Sequence, residues 1–340
     1  MKTAPLRVTR TQILAFRRRV GALDQRLPAG RRSLRRAAWA GLQDSMPRAA
    51  LLSVHARVER VGPSAWDDPS LVQVWGPRYQ VYVVAAPDLA VFTLGRLPDA
   101  GKTREKAEDL AERLHLFLDG ERMRYDDAGQ ALGVHGNTLR YAALTGRLAI
   151  RWEGARRPTV WTVPTPEIAP AEATLELARR YLHIFGPAGS DGFAKWAGIG
   201  TQQAVRAFGD LGTEVIPVLT PPGEAFMLAR DEPTIREAPA PVAAARLLPS
   251  GDAYTLRATS ADRALLVPDA AQRRELWTPR VWPGALLVGG EVVGTWRRAQ
   301  RKVTIQCWQR LSGSAREAAI AEAESLPLPD PGGRIVVSWS

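Results

Sequence analysis

Residues 123–163 read "MRYDDAGQALGVHGNTLRYAALTGRLAIRWEGARRPTVWTV". Asp126 and Asp127 stand where short acidic side chains cap a helix running to Leu132. "GVHGN" is a glycine-rich turn. Asn137 then caps a second helix, "TLRYAALTG", that stops at Gly146. "LAIRW" alternates as a strand does, "EGARRP" is a turn, and "TVWTV" is the returning strand. A helix–turn–helix followed by a two-stranded hairpin is the winged-helix layout, whose second helix enters a DNA groove while the basic hairpin tip follows the backbone.

The same order recurs at 189–228. "GSDGFAKWAGIG" gives a helix and a turn, "TQQAVRAFGDLG" a second helix, and "TEVIPVL", "TPPGE" and "AFML" a strand, a turn and a strand. Gly133 and Gly198 occupy matching turns, so the chain contains an internal repeat. A more diverged copy is readable at the N-terminus. Thr9-x-x-Gln12 resembles a capping box opening a helix. Two further helices follow, and "LVQVW-GPR-YQVYVV" forms a hairpin turning at Gly76 and Pro77. Lys102–Leu118 is helical between copies. Pro233, Pro239 and Pro241 mark a linker. Beyond it, short segments such as "GALLVGG", "EVVGTWRR" and "KVTIQCW" suggest a small barrel or sandwich, with "SAREAAIAEAESL" as a final surface helix and "IVVSWS" as a strand or tail. The expected fold class is α+β: three tandem winged-helix units followed by a small C-terminal β-barrel. The units span residues 1–100, 101–167 and 168–232, with the barrel and terminal helix at 242–340.

A chain of 340 residues suggests two or three compact units. No apolar run approaches ~18 residues, and the basic N-terminus lacks the apolar core of a signal peptide. Cys307 is the single cysteine, which excludes an internal disulfide and a cysteine zinc site. His55, His115, His135 and His183 are scattered, without metal-ligand spacing. A cytoplasmic protein without metal or membrane attachment is expected. The net charge is +11, and only five of the 46 basic residues are lysines. Genomic bias accounts for some arginine enrichment, but a positive field still favours polyanions, and the planar guanidinium fork suits phosphate.

Three adjacent polar residues, Gln43, Asp44 and Ser45, separate Leu42 from the apolar run Ala49–Val54. They either end one helix and cap the next, with Pro47 favoured at a first helical position, or they handle a water and a base.

The sequence resembles the winged-helix DNA-glycosylase superfamily of bacteria, which includes enzymes that excise bulky alkylated purines and unhook interstrand crosslinks. The resemblance spans almost the whole chain. It is carried by "VTRTQILAFRRR", "PRAALLSVHARV", "FGPAGSDGFAKWAG", "LLPSGDAYTL", "ALLVPDAAQRRELW" and "ALLVGGEVVGTWRR". It implies tandem winged helices packed with the barrel into a concave, DNA-sized surface, with duplex DNA carrying damage or adducts as partner and no cofactor. The family signature is Gln-x-Gln, usually within "LQAQDP". Here the segment reads Leu42-Gln43-Asp44-Ser45-Met46-Pro47, so Gln43 matches, while Ser45 and Met46 depart.

The chemistry fits these residue types. Breaking a base–deoxyribose bond passes through an oxocarbenium-like state, so positive charge must be stabilised and a water positioned. An N7- or N3-alkylated purine already leaves well. A neutral amide then suffices, fixing water through its oxygen and touching the lesion through its NH₂. Asp44 is a candidate stabiliser or general base. On an extended backbone, however, residues 43 and 45 point one way and 44 the other.

The candidate phosphate contacts are Arg35 and Arg36 of "RRSLRR", Arg140 on the second helix, Arg156 and Arg157 at the hairpin tip, and Arg297 and Arg298 in "TWRRAQRK". Trp75, beside the Gly-Pro-Arg turn, is a candidate for stacking on a base. The expected function is a monofunctional glycosylase acting on alkylated or bulky-adduct purines in DNA repair or self-resistance, as a monomer. The alternative is a non-catalytic winged-helix regulator or lesion binder.

Overall fold

The computed structural model describes residues 5–44, 46, 48–154, 156–237, 245–328 and 333–340. Ser45, Pro47 and the linker prolines Pro239 and Pro241 lie outside the described residues.

Both repeats take the expected element order. In the first, helix Tyr125–Ala131 is followed by the 3₁₀ helix Gly136–Thr145 and strands Leu148–Arg151 and Thr159–Thr162. In the second, helices Ser190–Ala197 and Thr201–Asp210 precede strands Val215–Thr220 and Gly223–Leu228. Gly133 and Gly198 both have φ +69°, a conformation glycine adopts without Cβ penalty.

The caps differ from the sequence reading. Tyr125 opens the first helix, its N–H held by the Pro158 carbonyl, so Asp126 and Asp127 fall inside the first turn. There they favour the helix dipole rather than cap it. His135, not Asn137, caps the next helix, its Nδ1 accepting the Asn137 N–H at 3.1 Å. The cause is close backbone packing: a Cβ on Gly129 would sit 2.8 Å from the Gly136 Cα, so the chain turns into the helix at Gly136.

In the N-terminal segment the α-helices Arg10–Val20, Arg31–Ala37 and Ala49–Arg57 precede strands Leu71–Trp75 and Val81–Ala85. Thr9 and Gln12 form the expected capping box. Strand Leu42–Gln43 joins the hairpin, Gln43 opposite Tyr82. Gln73 pairs with Ile150 and so joins this hairpin to that of the first repeat in one six-stranded sheet. Leu6–Arg7 runs parallel to Val215–Thr220, tying the chain start to the second repeat.

Helix Pro170–Phe185 anchors the main core. Tyr181 and Phe185 pack against Phe193 and Trp196, ring centroids 5.2–5.4 Å apart. Such offset contacts add to the burial of large apolar area.

The expected C-terminal barrel is not closed. Among the described residues the strands form an open five-stranded sheet, ordered Ala245–Leu248, Gly284–Val288, Glu291–Ala299, Lys302–Cys307 and Val336–Trp339. Helix Gly313–Glu324 lies at the surface, as read from sequence, and covers this sheet with one face. Ala319 and Ala323 are buried against Leu247, Leu286 and Ile305. A helix thus covers the apolar face that a closed barrel would have buried within itself. No helix among the described residues is long and apolar enough to cross a membrane.

Candidate active site and its arginine-lined cleft

Gln43 ends its two-residue strand and is 9% exposed. Its Oε1 accepts hydrogen bonds from Arg78 Nη2 at 2.8 Å and from the Tyr82 hydroxyl at 3.3 Å. Tyr82 is buried, which raises its pKa and keeps it a neutral donor. Arg78 sits in the hairpin turn with φ 55° and ψ 26°, a left-handed conformation costly for a residue with a side chain. The turn is closed by the Gly76 N–H donating to the Gln80 carbonyl at 2.9 Å. The Gly198 turn presses on it, for a Cβ there would lie 3.0 Å from the Arg78 nitrogen.

Gln43 and Arg78 open onto a cleft of ≈ 380 Å³ that Ser250, Arg280 and Trp282 also line. Met46, Ser250, Val281 and Trp282 are shared with a second hollow of ≈ 360 Å³ that Arg297 and Arg298 line. The two hollows form one groove between the N-terminal segment and the C-terminal sheet. Arg297 donates to the Val281 carbonyl and Arg298 to the Gln300 carbonyl.

The other arginines singled out from sequence stand outside this lining. Arg35 and Arg36 are exposed on their helix, Arg36 lying 5.6 Å over Trp39. Arg140 packs 5.8 Å over Trp75. Arg156 is exposed, whereas Arg157 pairs with Asp126 at 3.2 Å and donates to the Tyr125 hydroxyl. Trp75 is no stacking platform: it is buried in the core 6.1 Å from Tyr125. Its side of the strand faces the first repeat's helices rather than the groove.

The profile of the family described as "DNA glycosylase AlkZ-like" matches residues 35–327. The chain belongs to the AlkZ-like DNA glycosylase family. Its sequence is 24% identical over 236 residues to an interstrand DNA cross-link repair glycosylase of Streptomyces sahachiroi. That alignment covers 61% of this chain and 62% of the relative. The fold is similar to the solved structure of Streptomyces sahachiroi DNA glycosylase AlkZ, with a TM-score of 0.80, 20% sequence identity, and 98% and 100% of the two chains covered.

Within this AlkZ-like chain Asp44 faces away from Gln43. It has no exposed surface, and its carboxylate accepts the Ala50 N–H at 3.0 Å and the Gln73 amide at 3.0 Å. Gln73 in turn accepts the Trp152 N–H at 2.6 Å. Asp44 therefore caps the first turn of the helix Ala49–Arg57 and is wired into the six-stranded sheet. Burial pushes its pKa up to about 7, against the pull of these donors and of Arg151. The folded carboxyl thus keeps its proton between about pH 4 and pH 7, where the unfolded one ionises, so stability falls as pH rises through that window. The shift corresponds to about 4 kcal/mol. Asp44→Asn is expected to abolish this slope in denaturant titrations from pH 4 to pH 7. The slope is the readout, since an amide nitrogen there meets the Gln73 donor and lowers stability at every pH. An unchanged slope would contradict this placement.

His55 is buried, with its Nε2 3.1 Å from the Ser325 hydroxyl, and burial pushes its pKa down to about 3. Among the described residues no three His, Cys, Asp or Glu side chains gather as a metal site. Sequence reading singled out neither Arg78 nor Arg280 nor Trp282. The one available signal was an arginine following Gly-Pro in a hairpin turn.

Proposed function

We propose that the chain is a monofunctional DNA glycosylase that hydrolyses the N-glycosidic bond of alkylated or bulky-adduct purines, with Gln43 as the group beside the reacting nucleoside. The observation that carries this reading is the position of the Gln43 amide on an arginine-lined cleft in a member of a DNA glycosylase family. The lesion supplies a cationic leaving group, the Gln43 oxygen orients the attacking water, and no protein nucleophile is required. Among the described residues no lysine lines either hollow, which disfavours a Schiff-base lyase route. Asp44, capping a helix in the interior, is assigned a structural role.

The two helix–turn–helix–hairpin units are read as winged helices at 101–167 and 168–232, flanked by the diverged unit 1–100 and the sheet domain 242–340. Duplex DNA lies along the groove. Arg297 and Arg298 hold its backbone, while Arg35, Arg36, Arg140, Arg156 and Arg157 serve the flanks. The protein is read as a cytoplasmic monomer that needs only water as co-substrate.

Incubation of the wild-type protein with duplex DNA carrying N7-methylguanine is expected to release the free base and leave alkali-labile abasic sites. Binding without release across a panel of alkylated and bulky-adduct duplexes would leave a lesion binder and refute the enzyme.

A further inference from the structure

We propose that Arg78 is a phosphate-operated latch on Gln43: it holds the amide oxygen until a DNA phosphate draws the guanidinium away. This rests on the reading of Gln43 as the reacting group.

The amide carbonyl has two lone pairs, and both are occupied, one by Arg78 at 2.8 Å and one by Tyr82 at 3.3 Å. In this arrangement the oxygen does not orient a water. With Gln43 taken as the group beside the reacting nucleoside, a guanidinium 2.8 Å from its oxygen puts positive charge next to a transition state that is itself becoming positive. Gln43 works only when Arg78 has moved.

The surroundings favour that movement. Among the described residues no carboxylate forms an ion pair with Arg78, and its Nε is buried with no hydrogen-bond partner. Arg96 and Arg263 add like charge, each lowered in pKa by burial first and by Arg78 second or later. Arg280 lines the same cleft. An unpaired guanidinium among other guanidiniums, at the edge of a groove, is a site for an anion, and phosphate matches its fork. The backbone stays still while the side chain swings: Arg78 and Tyr79 are both left-handed, at φ 55° and 57°, and the Gly198 turn packs against the Arg78 backbone. DNA entry thus supplies the phosphate and frees the oxygen together. A damaged base without its backbone leaves the latch closed.

The test compares base release from N7-methylguanine duplex with release from the free nucleoside N7-methyl-2′-deoxyguanosine, each corrected for spontaneous loss. Wild type should act on the duplex and barely on the nucleoside. Arg78→Met should raise nucleoside hydrolysis about tenfold or more, weaken duplex binding, and lower the salt dependence of binding by about one unit of slope. Arg78→Lys, which keeps a cationic donor, should stay close to wild type on the nucleoside. Inorganic phosphate should speed nucleoside hydrolysis by the wild type beyond chloride at equal ionic strength, an arm that stands even if Arg78→Met does not fold. Equal losses on duplex and nucleoside in Arg78→Met, or no phosphate effect, overturn the latch. A Gln43→Ala variant that releases base at the wild-type rate overturns the underlying assignment instead, so the two failures are distinct.

Discussion

A loss of about 3–5 kcal/mol is expected when Asp252 is replaced by alanine. Its carboxylate has no contact with water and accepts from Arg57 Nη1 at 2.7 Å, Arg57 Nη2 at 2.8 Å, the Ser53 hydroxyl at 2.7 Å and the Tyr254 N–H at 2.9 Å. Burial alone would raise its pKa, but the Arg57 charge and these donors hold it below the usual carboxylate range. Removing the carboxylate strands a guanidinium that is itself buried. Since a domain of ordinary stability holds only about 5–15 kcal/mol in reserve, Asp252→Ala should unfold at far lower urea than wild type. The double variant Arg57→Met/Asp252→Leu, which leaves no uncompensated charge, should recover most of the loss. A midpoint shift worth less than about 1 kcal/mol would show that the pair does not tie the fold together. The pair also joins the end of helix Ala49–Arg57 to the Ser250–Gly251 wall of the cleft, so the variant should bind DNA less well even below its transition.

What the sequence made legible was local. Glycines at the two matching turns, alternation in the hairpins and the Thr9–Gln12 box depend on residues within a few positions of one another, and each pattern reappears in the fold. Joining the units was not legible, because Gln73 meets Ile150 and Leu6 meets Val218 across long separations that no periodicity records. The open sheet was misread for a related reason: the helix that covers it lies between the fourth and fifth strands in sequence, and its alanines carry little amphipathic signal. In the candidate site, family resemblance and strand geometry together pointed to Gln43 and to the opposite facing of Asp44. The burial of Asp44 was hidden, since it depends on Gln73 and on helix N–H groups that only the fold brings near. Arg78 was hidden too. A hairpin turn was readable at Gly76-Pro77, but not the left-handed backbone at the next residue that aims its side chain at Gln43.

The central claim is that the Gln43 amide acts on the reacting nucleoside. A single preorganised polar group at a developing charge contributes about 10²–10³ in rate, so Gln43→Ala should lower the rate of base release by that factor. Only the chemical step should suffer. Gln43 contributes little of the groove's surface, and the phosphate contacts assigned to Arg297 and Arg298 remain, so DNA affinity should stay near wild type. Arg78 loses its partner in this variant and is freer to bind phosphate, which works against any loss of affinity. The decisive measurement is single-turnover release of N7-methylguanine from duplex DNA held fully occupied by excess protein, wild type beside Gln43→Ala. Rapid release by the wild type with a loss of about 10²–10³ in the variant at equal occupancy is the expected result. Equal release rates for the two proteins would contradict it.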